Sequence, residues 1–253
     1  MKNKAIFITV RTGSSRLPNK AILKINGKHT IEYVIDSVKK SKYADLVVLC
    51  TTTLQEDKVL CDIAANNGIE FFQGSEENKW ERWKGACNKY DVDFFVNADG
   101  DDLFYDAGLA DCCFRQYNDS QKQGIVIDGQ GFYNDVYGIC RDSIIRICDL
   151  EKSEKIEPHN LTNFLKTSNL GIERLRDVPD IYAKRGVRMT LDYAEDLHFF
   201  ETVIQHFKAV NLEMTFDGIL DYLEKNPDVV EINWFREQEW KDNQRRMISR
   251  VVP

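Results

Sequence analysis

The sequence has no long hydrophobic segment and no excess of positive charge. Its first ten residues, MKNKAIFITV, hold only about six apolar residues, too few for a secretory signal or for the roughly 20 that span a bilayer. The 34 basic and 41 acidic side chains give a net charge of -7, which argues against nucleic acid or an anionic membrane as the main partner. We therefore expect a cytoplasmic protein.

Cysteine and histidine are also not arranged as metal or nucleophile sites. The seven cysteines form no CxxC pair, and several lie inside apolar runs such as LVVLC at 46–50, so we interpret them as small buried hydrophobic residues. The four histidines are scattered and have no visible nucleophile partner, so none is assigned as a catalytic acid or base.

Short β-rich runs alternate with helical patterns along the chain. The runs lie at 5–10, 45–51, 69–73, 93–98 and 124–129, and segments with helical periodicity such as 30–41 and 58–68 separate the first four. This alternation predicts βαβ units and an α/β fold with a mostly parallel central sheet. The length and the 43% hydrophobic content favour a single domain over 1–253.

The second half of the chain has a less regular pattern. From about 125 to 185 it becomes irregular and then helical, and we interpret this stretch as a small inserted region for acceptor binding and dimerisation, with 154–169 as its inserted or subunit-contact part. Residues 191–207 predict a turn followed by an amphipathic helix. The polar tail at 234–250 is interpreted as a solvated terminal helix.

A basic loop, VRTGSSRLPNKAI at 10–22, follows the first predicted strand. Its glycine and hydroxyl residues allow successive backbone N–H groups to face an anion, while its arginines and its lysine supply positive charge. Neither the GxxxxGK[ST] loop nor the GxGxxG fingerprint occurs, so the predicted phosphate site is of another kind.

This loop resembles the R-x-G-S-x-R-L-P-x-K motif of the nucleotidylyltransferases that make CMP-sugars, which include the CMP-Kdo synthetases, the CMP-sialic acid synthetases and the spore-coat polysaccharide cytidylyltransferase family. The fixed positions are filled by Arg11, Gly13, Ser14, Arg16, Leu17, Pro18 and Lys20. The resemblance implies a three-layer Rossmann-like nucleotidyltransferase fold that binds CTP. It assigns Arg11, Arg16 and Lys20 to the β- and γ-phosphates, and Thr12, Gly13, Ser14 and Ser15 to the nucleotide.

The segment VNADGDDLF at 96–104 resembles the VNxQGDxPL of CMP-Kdo synthetases. By this resemblance Asn97 contacts the nucleotide and Asp101 holds Mg²⁺, for which Mn²⁺ is expected to substitute. The chain departs from the motif at Leu103, where the family has proline, and at Asp99, which replaces glutamine or threonine. Asp99 either helps to bind metal or acceptor, or is a solvated carboxylate.

The segment VRMTLDYAEDLHFF at 187–200 resembles the R-x-T-V-D-x-x-E-D-L of the spore-coat branch, which places Asp192 on the second metal-binding aspartate. The alternative is that Asp192 caps the helix that follows. A weaker match at 74–83 places Arg82 near the base, and a surface salt bridge is its alternative.

The resemblance implies a cytidylyltransferase that joins CMP to a small anionic acceptor and releases pyrophosphate. For the acceptor we favour a phosphorylated small molecule, as used by the CTP:phosphoglutamine cytidylyltransferases of capsule biosynthesis, over a 3-deoxy-ulosonic acid.

The region 105–186 matches the family poorly, and there relatives bind the acceptor and form homodimers. His159 lies in this region and is a further candidate. Two alternatives remain: a glycosyltransferase that uses Asp99-Gly100-Asp101 as a DxD motif, and a non-catalytic nucleotide-binding protein.

Overall fold

A computed structural model describes residues 3–120, 124–129, 131–133, 135–154, 170–183 and 186–249. Seven strands form the main sheet and two short strands form a hairpin. The strands are β1 (Asn3–Thr9), β2 (Lys24–Ile25), β3 (Lys28–His29), β4 (Leu46–Thr52), β5 (Glu70–Gly74), β6 (Val92–Asp99), β7 (Ile125–Gly129), β8 (Val136–Cys140) and β9 (Gly171–Arg174). The five β-rich runs of the sequence are therefore confirmed as strands.

The main sheet has the strand order β5-β4-β1-β6-β8-β7-β9. The pairs β5/β4, β4/β1, β1/β6 and β7/β9 are parallel, whereas β8 is antiparallel to both of its neighbours. Six strands therefore run in one direction. The central strand β1 is buried on both faces, with Ala5, Ile6, Phe7 and Ile8 at 0% exposure, as expected for a strand covered by helices on both sides.

Helices cover both faces of this sheet. They are α1 (Thr30–Val38), α2 (Lys58–Asn66), α3 (Lys79–Tyr90), α4 (Ala107–Asp119) and α5 (Arg141–Glu154). Apolar residues of α1, α2 and α4 pack with Ile6, Ile8 and Val96 on one face. Residues of α3 and α5, including Trp83, pack with Phe7 on the other face. The predicted three-layer α/β fold is confirmed.

A second group of helices packs beside the segment that follows β6. It consists of α6 (Ala194–Ala209), α7 (Phe216–Lys225), α8 (Pro227–Trp234) and α9 (Arg236–Ser249). Phe104, just beyond β6, meets Phe200 of α6 with ring centroids 4.7 Å apart, in a separate apolar cluster. This packing fixes the start of α6 near the end of β6.

The region 125–185 contributes β7, β8 and β9 to the same sheet. The segment 155–169, which makes up nearly all of the predicted inserted or subunit-contact region, lies outside the described residues. All seven cysteines are buried and free, so their interpretation as hydrophobic residues is confirmed. No helix in the described part of the chain is both long and apolar enough to cross a membrane.

Candidate active site

A cavity of about 440 Å³ opens at the carboxyl ends of β1 and β6. The chain crosses from β1 to β4 and β5 on one side and then returns to β6 on the other, and ligands collect at such a switch point. Gly100 holds the two strand ends together, because its N–H donates to the carbonyl of Thr9 at 3.0 Å. A Cβ on Gly100 would lie 2.7 Å from the Cβ of Val10, so glycine is required here.

The basic loop after β1 lines one side of this cavity and is anchored at its start. Arg11, Gly13, Ser14, Ser15, Arg16 and Lys20 line the cavity. Thr12 instead is 3% exposed and points away from it: its backbone N–H and its hydroxyl both donate to Oδ1 of Asp57, at 2.7 and 2.6 Å. Thr12 and the fully buried Asp57 therefore hold the loop in place, and the Thr12 hydroxyl is not free to bind a nucleotide.

The two aspartates assigned to the metal lie together in the folded chain. The Nζ of Lys20 lies 2.5 Å from Oδ2 of Asp101 and 2.9 Å from Oδ1 of Asp192. The Leu191 N–H donates to the carbonyl of Asp101 at 2.9 Å, which fixes the two segments against each other. Burial by itself would lower the pKa of Lys20, but the two carboxylates outweigh it and raise that pKa above its ordinary value.

Asp192 is 2% exposed and is surrounded by cations. Arg16 Nη2 donates to its Oδ1 at 2.6 Å, and Arg188 Nη2 lies 3.5 Å from its Oδ2. Burial alone would raise the pKa of Asp192, but Lys20 and Arg16 outweigh it and hold that pKa below its usual value. Asp192 is therefore a charged carboxylate at neutral pH.

Asp192 precedes α6 but does not cap it with its own side chain. Asp196 does this, since its Oδ2 accepts from the N–H groups of Asp192 and Tyr193 at 2.8 and 2.9 Å. Asp196 also forms a bidentate ion pair with Arg188, whose Nε and Nη2 donate to its Oδ1 and Oδ2 at 2.8 and 3.0 Å. Arg188 and Asp196 are the first and the penultimate fixed residues of the 187–200 motif, so the sequence contained the signal for both.

Three further carboxylates lie near Asp101. Asp99, Asp102 and Asp135 line the cavity with it, together with the cations Lys79 and Lys20. Burial raises the pKa of Asp99 to about 6; Lys79 opposes this shift, and the charges of Asp101 and Asp135 add to it. Asp99 thus lines the cavity, and its contact with metal or acceptor stays a prediction.

Of two residues that the resemblance assigned to the nucleotide, Arg82 lines the cavity and Asn97 does not. Arg82 lines the cavity but is 5% exposed, and its Nη1 donates to the carbonyls of Ser75 and Glu76 at 2.6 and 3.4 Å, so it shapes the loop after β5. Arg82 is therefore not in a surface salt bridge. The Oδ1 of Asn97 accepts from the Tyr137 N–H at 2.6 Å, and Asn97 does not line the cavity. Its side chain extends the pairing of β6 with β8.

The C-terminal helix α9 corrects one expectation. The polar tail is helical as predicted, but it is not merely solvated, because Glu237 is 6% exposed and lines the cavity together with Trp240. Glu237 Oε2 lies 3.3 Å from Nη1 of Arg188. Nothing in the polar composition of the tail indicated these contacts, because the partner lies in a distant segment. His159 is outside the described residues.

The donor set of the cavity fits a hard divalent cation bound together with a ligand. Within the described residues, no group of three or more His, Cys, Asp or Glu side chains could hold a metal by itself. Asp101 and Asp192 nevertheless converge on one ammonium group, and Mg²⁺ usually takes one or two carboxylates and completes its shell with phosphate and water oxygens.

Comparison with known proteins identifies relatives of this site. The chain is 28% identical over 233 residues to the uncharacterized protein MJ1063 of Methanocaldococcus jannaschii, which covers 90% of this chain and 93% of that protein. It is 21% identical over 239 residues to the spore coat polysaccharide biosynthesis protein SpsF of Bacillus subtilis, with 90% and 97% covered. Both matches run over nearly the full length.

The fold is also that of a solved cytidylyltransferase. The structure of the enzyme from Leptospira borgpetersenii superposes with a TM-score of 0.78 at 21% identity, covering 91% of this chain and 97% of that one. The family model described as cytidylyltransferase matches residues 5–226. Since this match takes in the basic loop and both converging aspartates, the chain belongs to the cytidylyltransferase family and is a CTP-dependent nucleotidyltransferase.

Proposed function

We propose that the protein transfers CMP from CTP to a small anionic acceptor in the biosynthesis of a capsule or another surface polysaccharide, and that pyrophosphate is released. The observation that carries this proposal is the convergence of Lys20, Asp101 and Asp192 in one cavity at the switch point of the sheet. The likeness to SpsF, whose name assigns it to spore coat polysaccharide biosynthesis, supports the pathway class.

The chemistry is an in-line displacement. An ionised acceptor oxygen attacks the α-phosphorus of CTP, the bond from this phosphorus to the bridging oxygen breaks, and the electron pair leaves with pyrophosphate. Arg11, Arg16 and Lys20 bind the β- and γ-phosphates and stabilise the charge that develops on the leaving group. Because the raised pKa keeps Lys20 protonated at neutral pH, it acts as a cation and not as a base.

Asp101 and Asp192 are the residues that would hold Mg²⁺, with Mn²⁺ as a substitute. The ion would neutralise phosphate charge and orient the reacting groups. The chain itself fixes the two carboxylates: Leu191 binds the backbone of Asp101, and Asp196 binds the backbone N–H of Asp192. A preorganised pair of this kind loses little freedom when the nucleotide binds.

For the acceptor we propose a phosphorylated small molecule, such as glutamine phosphate. Asp99 and Asp135 line the cavity beside Asp101, and carboxylates at this position suit a substrate that carries an ammonium group as well as its anionic nucleophile. Glutamine phosphate has both groups, whereas a simple 3-deoxy-ulosonic acid has a carboxylate and hydroxyl groups only. The ulosonic acid remains the alternative, and homodimer formation stays a prediction.

The test is to incubate the purified protein with Mg²⁺, each of the four nucleoside triphosphates and one of two acceptor pools, and to measure pyrophosphate release. One pool holds phosphorylated amino acids and phosphonates, and the other holds sugar acids. Release with CTP and the first pool supports the full proposal, and release with CTP and the second pool supports the alternative acceptor. Release with another nucleotide, or no release at all, contradicts the proposed reaction.

A further inference from the structure

The family match ends at residue 226, yet α9 beyond it supplies part of the cavity wall through Glu237 and Trp240. This helix is fastened to the start of α6. Arg236 donates to both carboxylate oxygens of Glu195 at 2.9 and 3.1 Å, and Asn243 Nδ2 donates to the hydroxyl of Tyr193 at 3.1 Å. The position of α9 is therefore set by the same short segment that carries Asp192.

The contacts of Arg188 explain what Glu237 does there. The guanidinium is 1% exposed, so its charge requires partners inside the protein. It makes short bonds to Asp196 at 2.8 and 3.0 Å, a contact to Glu237 at 3.3 Å, and its longest contact, to Asp192, at 3.5 Å. Asp196 and Glu237 thus supply two negative charges to one guanidinium.

The charge of Asp192 is consequently left for the cavity. Its Oδ1 contacts Arg16 and Lys20, the two cations of the loop after β1, at 2.6 and 2.9 Å. If the charge of Glu237 were removed, the guanidinium of Arg188 would be drawn closer to Asp192, which is its other ion-pair partner besides Asp196 within the described residues. Asp192 would then have less charge to offer to a bound cation.

We propose that Glu237 is a positioning residue of the active site, which holds Arg188 away from Asp192 and so keeps the charge of Asp192 available to Mg·CTP. This inference rests on the proposed function, because it concerns the binding of that ligand. It makes the C-terminal helix a functional part of the enzyme, although the helix lies outside the family match.

The experiment measures the affinity of the full chain for Mg·CTP by isothermal titration calorimetry. Glu237→Gln keeps the size of the side chain and removes its charge, and we expect about tenfold weaker binding. Glu237→Asp keeps the charge and should bind within about threefold of wild type.

Two controls share the helix but contact neither Arg188 nor Glu237. Glu239 pairs with Arg236, and Asp242 pairs with Arg245 at 3.5 Å. Glu239→Gln and Asp242→Asn should bind Mg·CTP like wild type, and each variant is also checked by its unfolding midpoint.

Each result decides the matter. Affinity of Glu237→Gln equal to that of the controls overturns the inference, and so does equal weakening by Glu237→Asp, which would make packing the cause. Loss of cooperative unfolding in Glu237→Gln would also overturn it, since Glu237 would then hold the fold and not the charge. If wild type itself does not bind Mg·CTP, the proposed function fails first.

Discussion

The ammonium group of Lys20 lies between the carboxylates of Asp101 and Asp192, at the position where a metal cation would bind to both. Replacing Lys20 with methionine removes the proposed phosphate contact, so we expect kcat for pyrophosphate release to fall about 100-fold. The same change frees oxygens of Asp101 and Asp192, so Mn²⁺ binding without nucleotide should be as tight as in wild type or tighter. A pyrophosphate assay measures kcat, and calorimetry measures the affinity for Mn²⁺.

Lys24→Met is the matched control for this prediction, because Lys24 is exposed on the short strand β2 and does not line the cavity. It should leave both quantities unchanged. Weaker Mn²⁺ binding in Lys20→Met would contradict the view that this ammonium group competes with a metal for the two carboxylates.

The sequence motifs predicted which residues lie at the site more accurately than what each residue contacts there. Asp101 and Asp192 were assigned from separate motifs, and the fold brings them to one ammonium group. Thr12 and Asn97 were assigned to the nucleotide. In the structure the Thr12 hydroxyl donates a hydrogen bond to the Asp57 carboxylate, and Asn97 Oδ1 accepts one from the Tyr137 N–H. Such partners depend on loop packing, which spacing along the chain does not encode.

At the scale of elements, the site depends on how closely the end of β6 approaches the loop after β1. Gly100→Ala would place a Cβ 2.7 Å from Cβ and 2.9 Å from Cγ2 of Val10, a branched residue with little room to move. We expect a loss of about 1 to 3 kcal/mol in the free energy of unfolding, with lower activity. Urea denaturation measures the stability.

Gly186→Ala serves as the control, since a Cβ there meets nothing within 4 Å. Its stability should stay within about 0.5 kcal/mol of wild type. Equal stability of the two variants would show that the strand ends are not held as closely as the contacts of Gly100 indicate.

The sequence predicts a strand or helix well where its buried side chains follow an apolar pattern along the chain. Strands β1, β4 and β6 have buried apolar runs, β5 is a short edge strand with two phenylalanines, and the alternation of these strands with helices predicts parallel pairing. The antiparallel strand β8 lies in the irregular region and carries Gly138, whose Cβ position is filled by Phe94. The role of α9 was missed because the burial of Glu237 depends on Arg188 and not on apolar periodicity.

At the scale of the whole molecule, the net charge of -7 coexists with a cavity that is lined by cationic side chains of the basic loop after β1. A ligand that binds only the folded state stabilises it in proportion to the logarithm of its concentration. With Mg²⁺ and CTP at about 100 times the dissociation constant, the unfolding midpoint should rise by about 5 to 10 °C. Differential scanning fluorimetry measures this shift.

The same scan with Mg²⁺ and GTP at equal concentration is the control for nucleotide choice. The family membership of the chain predicts a smaller shift with GTP than with CTP. A shift that is equal for both nucleotides would mean that the cavity binds the triphosphate without reading the base.

The most direct test of the account is the rate of CTP-dependent pyrophosphate release in Asp101→Asn. The matched control is Asp36→Asn, because Asp36 is exposed on α1 and pairs only with Lys28 among the ion pairs of the described chain. We predict that Asp101→Asn keeps its unfolding midpoint but loses about 100-fold or more in rate, while the control matches wild type. An unchanged rate in a folded Asp101→Asn variant would contradict the assignment of this cavity as the site of CMP transfer.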